Sequence, residues 1–524
     1  MKAAPSRLAR PSTTAPAPPS TSAEPQTNLS RPYLLTIGGL MVAAGAMTAA
    51  MNHGHAWVTP DSVTYLGVAQ NIVHGKGITA PFRNTLDPFS PKPSSTVPLI
   101  HWPPGYPVVL AAIAVLGFAP ITAAEVLNIA CGAAVVALVA AIVWRTTQAR
   151  PVTIAAAVLA LASNTIFQQA RFALSDTLFL TVAVAFVYFA VRTAERRPHA
   201  LWLMAAAGSA AILVRWEGIA LVVPAVIACR LGRRRHAVTL AVVGGLLALP
   251  ILWLVYLQLG PAVAPRQLTW HPTLQMRNLG IALGQLVQPE PASNGWDRLL
   301  GSGVGLLTIA EIVYVSLRRS PYRMILVAFV VSYMAGLMGS RVLFDAYSSW
   351  SDRLLSPVYV VIVLLSIDIA WNWKSNRILR VPALAVLALL AFAQGASIPS
   401  LINEGSTASG YTSRYWHSVP TTQIAAALKP YPIIASNRPD IVYFWLHRSS
   451  LSLPQTINPV TTKTNPDVTA QLEALVATLK AGGAFINIED PSVPMWYLVG
   501  ESQVLKALGF RKVASFKDAQ IYAR

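Results

Sequence analysis

Residues 52–107 read NHGHAWVTPDSVTYLGVAQNIVHGKGITAPFRNTLDPFSPKPSSTVPLIHWPPGYP. This polar, aromatic stretch lies between two strongly apolar blocks, and it carries Asp61, Asp87, four histidines and a set of Trp and Tyr side chains. A loop of such length beside apolar blocks is usually functional or disordered. The aromatics and the helix-like run from Ser62 to Val73 argue against disorder. Within that run Val63, Leu66, Val68 and Ile72 come close to one-face helical spacing. Thr59-Pro60-Asp61 is a good helix start, with Pro60 or Asp61 near the cap. Two readings of Asp61 follow: a cap on a short interfacial helix, or a reactive carboxylate at a membrane surface.

Composition decides what surrounds this stretch. At 54% hydrophobic, 12% charged and a mean hydropathy of +0.50, the chain is not a soluble enzyme. Its apolar residues come in blocks of roughly 15–24, the length that crosses a bilayer as helix. Cys131 and Cys229 both fall inside such blocks, without metal-type spacing and without the makings of a disulfide framework. The net charge of +19 is also informative through its distribution. Nearly half of the 40 Lys and Arg sit in six short stretches, at 1–32, 145–150, 192–197, 230–235, 318–323 and 374–380. All six flank apolar blocks, which is the positive-inside pattern and not a nucleic-acid patch. The bilayer is therefore a partner and nucleic acid is not.

Residues 1–32, rich in Pro, Ser, Thr and Ala, read as a disordered cytoplasmic tail. The first apolar block, starting near Tyr33, lies too far in and is too long for a cleaved leader. With all six basic stretches cytoplasmic, parity predicts eleven spans, at about 33–51, 123–144, 151–169, 174–191, 199–214, 217–230, 237–259, 299–317, 322–340, 353–371 and 378–396. Residues 103–118 (PPGYPVVLAAIAVLGF) then have both ends outside and read as a re-entrant or surface-lying helix. Residues 52–122 form a first external loop. Residues 260–298, with Trp270, His271, Trp296 and Asp297, form a second, and Pro272, Pro289 and Pro291 keep it from being one helix.

From about 397 the pattern changes to alternating helices and strands. Helices are predicted at 420–430, 437–448, 468–481 and 501–508, strands at 431–436 and 485–489, and a closing hairpin from RKVASF and AQIYAR. The fold class is thus an α-helical polytopic membrane protein of about eleven transmembrane helices, with a small extracytoplasmic α/β domain over 397–524. That domain contains no GxGxxG or P-loop, which argues against a nucleotide site there.

The same parity gathers the ionisable residues at span ends onto one face. Arg171 and Asp176 lie at one outer turn, Arg215 and Glu217 at the next, and Arg341, Asp345, Asp352 and Arg353 at a third. With Tyr65, His101 and Trp102 they would surround Asp61. Each also has an ordinary structural reading: Asp176 as a helix cap, Arg215–Glu217 as an ion pair at a tight turn, Arg353 as a snorkelling side chain, and His101–Trp102 as an interfacial belt. His53, His55 and His74 do not have zinc-ligand spacing on a readable element. Taken together, carboxylates and arginines above apolar helices suit an anionic lipid-linked substrate. Arginine holds a phosphate by bidentate hydrogen bonds, and a carboxylate takes the proton of an attacking hydroxyl.

Five pieces in order, TPDSVTYLGVAQNIVHGKG, HWPPGYP, ARFALSDTLFL, LVRWEG and SDRLLSP, span much of residues 33–396. In that order they resemble the GT-C superfamily of integral-membrane glycosyltransferases. The resemblance is closest to the branch of protein O-mannosyltransferases and lipid A aminoarabinose transferases. It implies an inverting hexosyl or pentosyl transfer from a polyprenyl-phosphate sugar to a glycan, lipid or protein acceptor. The first-loop aspartate of the family, as base, maps onto Asp61, the second acid onto Asp176, and the donor-phosphate contact onto Arg353, with Arg341 beside it. Tyr65, His101, Trp102, Arg215 and Glu217 become substrate contacts. Some branches carry paired acids in the first loop; here Asp61 is followed by Ser62, which weakens a protein-mannosyltransferase assignment. No metal ligands are assigned, and a divalent cation is left open as a cofactor. The expected location is the plasma (inner) membrane, with the N-terminus cytoplasmic.

Two other readings stand beside this one. An oligosaccharide ligase or polymerase would share the donor and differ in acceptor. A transporter or flippase would need charges in mid-span and usually two similar halves, neither of which the sequence displays.

Overall fold

The computed structural model describes residues 31–52, 55–259, 270, 272–287, scattered positions between 303 and 314, 320–343, 350–372, 377–407, 410–413, 416, 418–459, 463–490 and 495–524. The expectations for residues 1–30, His53, His271, Pro289, Pro291, Trp296, Asp297, Asp345 and most of 299–317 lie outside the described residues.

Long uncharged runs of Ala, Leu, Val and Ile must satisfy their own backbone groups in lipid, and they do so as helices. The chain opens with α1 (Arg31–Met51). The polar stretch then forms α2 (Pro60–Val73), a short antiparallel pair β1 (Thr79–Ala80) and β2 (Val97–Pro98), and α3 (Gly105–Ala114). The long α4 (Pro120–Thr147) follows. Next, α5 (Arg150–Leu161) meets α6 (Asn164–Phe167) and its 3-10 extension Gln168–Arg171 at a 56° bend. Helices α7 (Asp176–Ala194) and α8 (Pro198–Val214) pack as a hairpin, and a 3-10 turn, Trp216–Leu221, leads into α9 (Val222–Leu231). The helical part is completed by α10 (His236–Leu259), α11 (Pro272–Val287), α12 (Pro321–Leu343), α13 (Asp352–Asn372), α14 (Arg377–Ala396) and α15 (Ile398–Thr407).

Seven described stretches are long and apolar enough to cross a membrane, or eight when the bent α5–α6 pair is one span. Two expected spans take a different form. The one at 151–169 is broken after Leu161, where Ser163 caps a new helix by accepting the Ile166 N–H. The one at 217–230 is a 3-10 turn followed by a ten-residue helix. The reason is a close approach: a Cβ on Gly218 would stand 2.5 Å from the Ile212 nitrogen, so the chain turns tightly against the end of α8. In the second loop, Pro272 starts α11, as a proline at the first helical position can.

At ten residues α3 is too short to cross a bilayer as a helix. Its first residue presses against the end of α8, where a Cβ on Gly105 would lie 2.6 Å from the Leu213 carbonyl oxygen. Neither backbone can give way cheaply. Gly105→Ala is expected to cost about 1–3 kcal/mol through overpacking, read as a lower melting temperature of the purified protein. An unchanged melting temperature would refute this contact.

Beyond α15 come α16 (Thr421–Leu428), β3 (Ile433–Ser436), α17 (Pro439–Leu446), β4 (Leu451–Ser452), α18 (Val468–Lys480), β5 (Gly483–Ile488), α19 (Glu501–Leu508), β6 (Arg511–Phe516) and β7 (Ala519–Ala523). They build a five-stranded sheet in the order β4-β3-β5-β7-β6. β3 runs parallel to β4 and β5, while β7 pairs antiparallel with β5 and β6. Every residue of β5 is buried, as a central apolar strand requires. The sheet strand β4 was not expected from the sequence. Arg438, fully buried, bonds to Tyr411, Asp490 and Asp440 and ties the domain together.

The polar stretch is clamped by distant parts of the chain. Trp57 N–H donates to the Arg171 carbonyl at 2.7 Å, and Ala173 N–H to the Trp57 carbonyl at 3.0 Å. Tyr411 N–H donates to the Val58 carbonyl at 2.8 Å, and the Thr412 hydroxyl to the Ala56 carbonyl at 3.1 Å. Further along, the Thr85 and Tyr497 hydroxyls are 2.8 Å apart, and Gln455 donates to the Thr85 carbonyl.

Candidate active site

The start of α2 sets the direction of Asp61. Thr59, not Pro60 or Asp61, is the N-cap: its hydroxyl accepts the Ser62 N–H at 3.3 Å, and the Ser62 hydroxyl accepts the Thr59 N–H at 3.1 Å. This reciprocal capping box leaves the Asp61 carboxylate out of the cap. It also assigns Ser62 to the helix start.

Asp61 instead faces a cavity of about 590 Å³. Tyr65, one turn on, lines the same cavity and packs edge-on against Trp102 and Tyr106. His101 and Trp102 form another wall just ahead of α3. Asp176 enters at the first residue of α7, Arg215 just after α8, and Glu217 from the 3-10 turn. Arg341 comes from the last turn of α12, and Arg353 from the first turn of α13. The cavity thus collects the helix ends that the span parity places on one side. The opposite ends are joined by other pairs, Arg145 with Glu195 at 2.5 Å and Arg323 with Asp368 at 2.5 Å.

Charge near a bilayer must be paired, and most of it here is. Asp176, 3% exposed, accepts hydrogen bonds from both Arg215 and Arg353, the latter at 2.8 Å. Arg215 also reaches Glu217 at 3.3 Å. Asp61 differs. Among the described residues no hydrogen bond or ion pair engages its carboxylate, although Arg353, Arg215, Asp176 and His101 are close enough to act on it through space. Burial pushes the Asp61 carboxyl above the ordinary carboxylate value, with Arg353 opposing the shift and Asp176 adding to it. Burial likewise raises the Tyr65 hydroxyl, and the Asp61 charge adds to this, so Tyr65 stays protonated.

The Dolichyl-phosphate-mannose-protein mannosyltransferase family model matches residues 98–235, which include His101, Asp176, Arg215 and Glu217. ArnT from Cupriavidus metallidurans bound to undecaprenyl phosphate superposes with a TM-score of 0.50 and 15% identity, over 94% of this chain and 98% of that one. The Archaeoglobus fulgidus oligosaccharyltransferase AglB, in complex with an inhibitory peptide and a dolichol-phosphate, gives 0.51 and 11%, over 88% and 70%. The same oligosaccharyltransferase in complex with Zn and sulfate gives 0.53 and 12%, over 92% and 73%. The chain has the GT-C glycosyltransferase fold. No curated protein matches it in sequence.

Within this GT-C fold several structural readings of the site residues can be weighed. Asp176 gives its oxygens to two arginines, and Arg353 holds Asp176 instead of reaching for headgroups. His101 does contact Trp102 edge-on, but its Nε2 is also 3.0 Å from the buried Asp87 carboxylate. Asp87 is further fixed by the Asn84 N–H at 2.7 Å. This Asp87–His101 pair is the part of the site that sequence reasoning missed; the only signal was that Asp87 is the second acid of the opening stretch. Arg171 is a correction. It does not join the ring around Asp61 but lies 4.1 Å over the Trp57 ring and pairs with Glu404 at 2.7 Å. His55 pairs with Glu125 at 3.3 Å. Among the described residues no three His, Cys, Asp or Glu side chains converge as a metal would require.

Proposed function

We propose that the protein is a glycosyltransferase that moves a sugar from a polyprenyl-phosphate donor to an acceptor hydroxyl, with Asp61 as the general base. The observation that carries this is Asp61 itself: a carboxylate raised by burial and engaged by no described residue, in a cavity whose other acids are held by arginine. The superposed ArnT is bound to undecaprenyl phosphate and AglB to a dolichol-phosphate, which supports a donor of that class.

In the proposed step the acceptor O–H gives its proton to Asp61 as its oxygen attacks the anomeric carbon. The carbon–phosphate oxygen bond breaks on the opposite face, and the electron pair leaves with the phosphate. Arg353 and Arg341, on the cavity wall, stabilise that charge. Asp176 acts as a positioning residue, since it orients Arg353 and Arg215. Hydroxyl attack opposite the leaving group inverts the anomeric centre.

The direct test uses the purified protein in nanodiscs with a radiolabelled polyprenyl-phosphate sugar. Release of polyprenyl phosphate coupled to acceptor labelling is expected; its absence across hexose and pentose donors would sink the reading. Arg353→Ala should weaken donor binding by about 1.5–3 kcal/mol, roughly 10–150-fold. Arg215 still holds Asp176 in that variant, so the melting temperature should move little. Unchanged donor affinity would return Arg353 to a purely structural role.

The basic stretches at 145–150, 192–197 and 230–235, which flank the other ends of the cavity's helices, support an extracytoplasmic cavity. Both native cysteines are buried, so single introduced cysteines report cleanly. A membrane-impermeant thiol reagent should label Lys480→Cys and spare Arg235→Cys in intact cells, both positions being exposed. The reverse pattern would overturn the orientation.

A further inference from the structure

A second cavity of about 550 Å³ lies on the other side of α2. Val63, Leu66, Gly67 and Gln70, at i, i+3, i+4 and i+7, form its wall, while Asp61 and Tyr65 line the catalytic cavity. One helix thus separates the two spaces. The far wall comes from the C-terminal part of the chain, and it is aromatic: Tyr411, Trp416, Tyr443, Phe444 and Trp445. The Trp416 and Trp445 rings stand 5.3 Å apart and tilted by 57°, forming a corner, with Tyr411 edge-on to Trp416 at 5.8 Å.

Two properties narrow the ligand. Among the described lining residues there is no Asp, Glu, Lys or Arg, and of the two histidines His55 pairs with Glu125 at 3.3 Å while His447 stands edge-on to the Tyr443 ring, so none of them supplies a permanent charge for a phosphate or carboxylate. It also has fixed polar groups. The Tyr443 hydroxyl donates to the Gln70 side-chain oxygen at 2.9 Å, which orients the Gln70 amide. Its NH2 group has no protein partner among the described residues, and Thr421 lines the cavity from the C-terminal side. A fatty chain has no use for oriented amide and hydroxyl groups. A sugar ring does, because it presents an apolar C–H face to an aromatic ring and hydroxyls at its edge.

We propose that this cavity binds a neutral sugar unit of the acceptor, so that the acceptor of the transfer is itself a glycan. This rests on the glycosyltransferase reading of the neighbouring cavity and adds the acceptor class to it. A saccharide seated against Trp445 and Gln70 would lie one helix away from Asp61, and the next unit of the same chain would bring a hydroxyl round α2 to the base.

The test measures binding of neutral manno- and arabino-oligosaccharides, two to six units long, to the full-length protein in nanodiscs by equilibrium dialysis. Saturable binding is expected for at least one series. Trp445→Ala should weaken it roughly tenfold, as loss of a central aromatic contact does. Trp445→Phe should restore most of it, and Gln70→Leu should weaken it several-fold at an unchanged melting temperature. The proposal is overturned if no oligosaccharide binds, or if binding is indifferent to both Trp445→Ala and Gln70→Leu. It is equally overturned if a spin-labelled phospholipid, and no saccharide, occupies the site. Glycan binding without any sugar transfer would sink the donor reading alone. Transfer to a non-glycan acceptor without glycan binding would sink this proposal alone.

Discussion

Asp61→Asn should lose about 10²–10⁴-fold in transfer rate, the usual size of a lost general base, while keeping its fold and its donor affinity. The substitution preserves shape and removes the proton acceptor. If Asp61 served as a cap, asparagine would replace it almost without cost, but the cap belongs to Thr59 and Ser62. Stability should hold or rise, because an amide replaces a carboxylate that no described residue pairs with in a buried site. The wild-type rate should also depend on pH in a definite direction. Burial places the folded-state value of Asp61 above that of a free carboxylate, so the base form is lost as pH falls through that raised value. The acid limb of kcat/KM is therefore expected above the ordinary carboxylate range of about 4, and it should vanish in Asp61→Asn. A variant that folds, binds donor and transfers sugar at the wild-type rate would move the search for the base to Asp176 and Glu217.

Arg438→Met should be the most destabilising single change in the C-terminal domain, at about 3–5 kcal/mol, the cost of stripping a buried charge of its partner. Arg438 is fully buried and serves Asp440, Asp490 and the Tyr411 hydroxyl together. Removing it leaves two carboxylates without their cation. The loss should be read as a lower melting temperature and faster proteolysis of the C-terminal segment in the intact protein. Acid should soften the defect. Burial already raises the Asp440 carboxyl, with the Arg438 charge holding it back. Without Arg438 the folded-state value rises further above the unfolded one, so the variant regains stability as pH falls through that value. A deficit that grows on mild acidification would contradict this account.

Much of this architecture is legible in the residues, and the limits have physical causes. Helices at span ends and the sheet elements at 433–436, 483–488 and 511–523 follow local patterns of apolar spacing and turn residues, so they can be read directly. The nine site residues named from sequence line one cavity; span parity gathers the helix ends that carry Asp176, Arg215, Glu217, Arg341 and Arg353, but it also put Arg171 there, which the structure does not. What escaped depends on contacts. The break at Ser163 and the tight turn at Gly218 lie within continuous apolar runs, where hydropathy has no feature to mark them. The pairing of Asp87 with His101 and of Arg171 with Glu404 requires knowing which loops meet. The cap was misplaced because serine, not the more common Glu or Gln, closes the box three residues after Thr59.

The backbone clamp around Trp57 and Val58 bears on when the enzyme can first work. The stretch holding Asp61 is made early, yet the segments that bond it, Arg171–Ala173 and Tyr411–Thr412, are separated from it by more than a hundred and more than three hundred residues of chain. Arg353, too, joins the cavity late. Contacts this distant in sequence form slowly and only after the intervening chain exists. A ribosome that has delivered Asp61 still holds an incomplete chamber, and a chain cut short before residue 411 lacks the bonds that close it. A transferase of the proposed kind would therefore become competent only near the end of synthesis, and a half-inserted chain would not consume its donor.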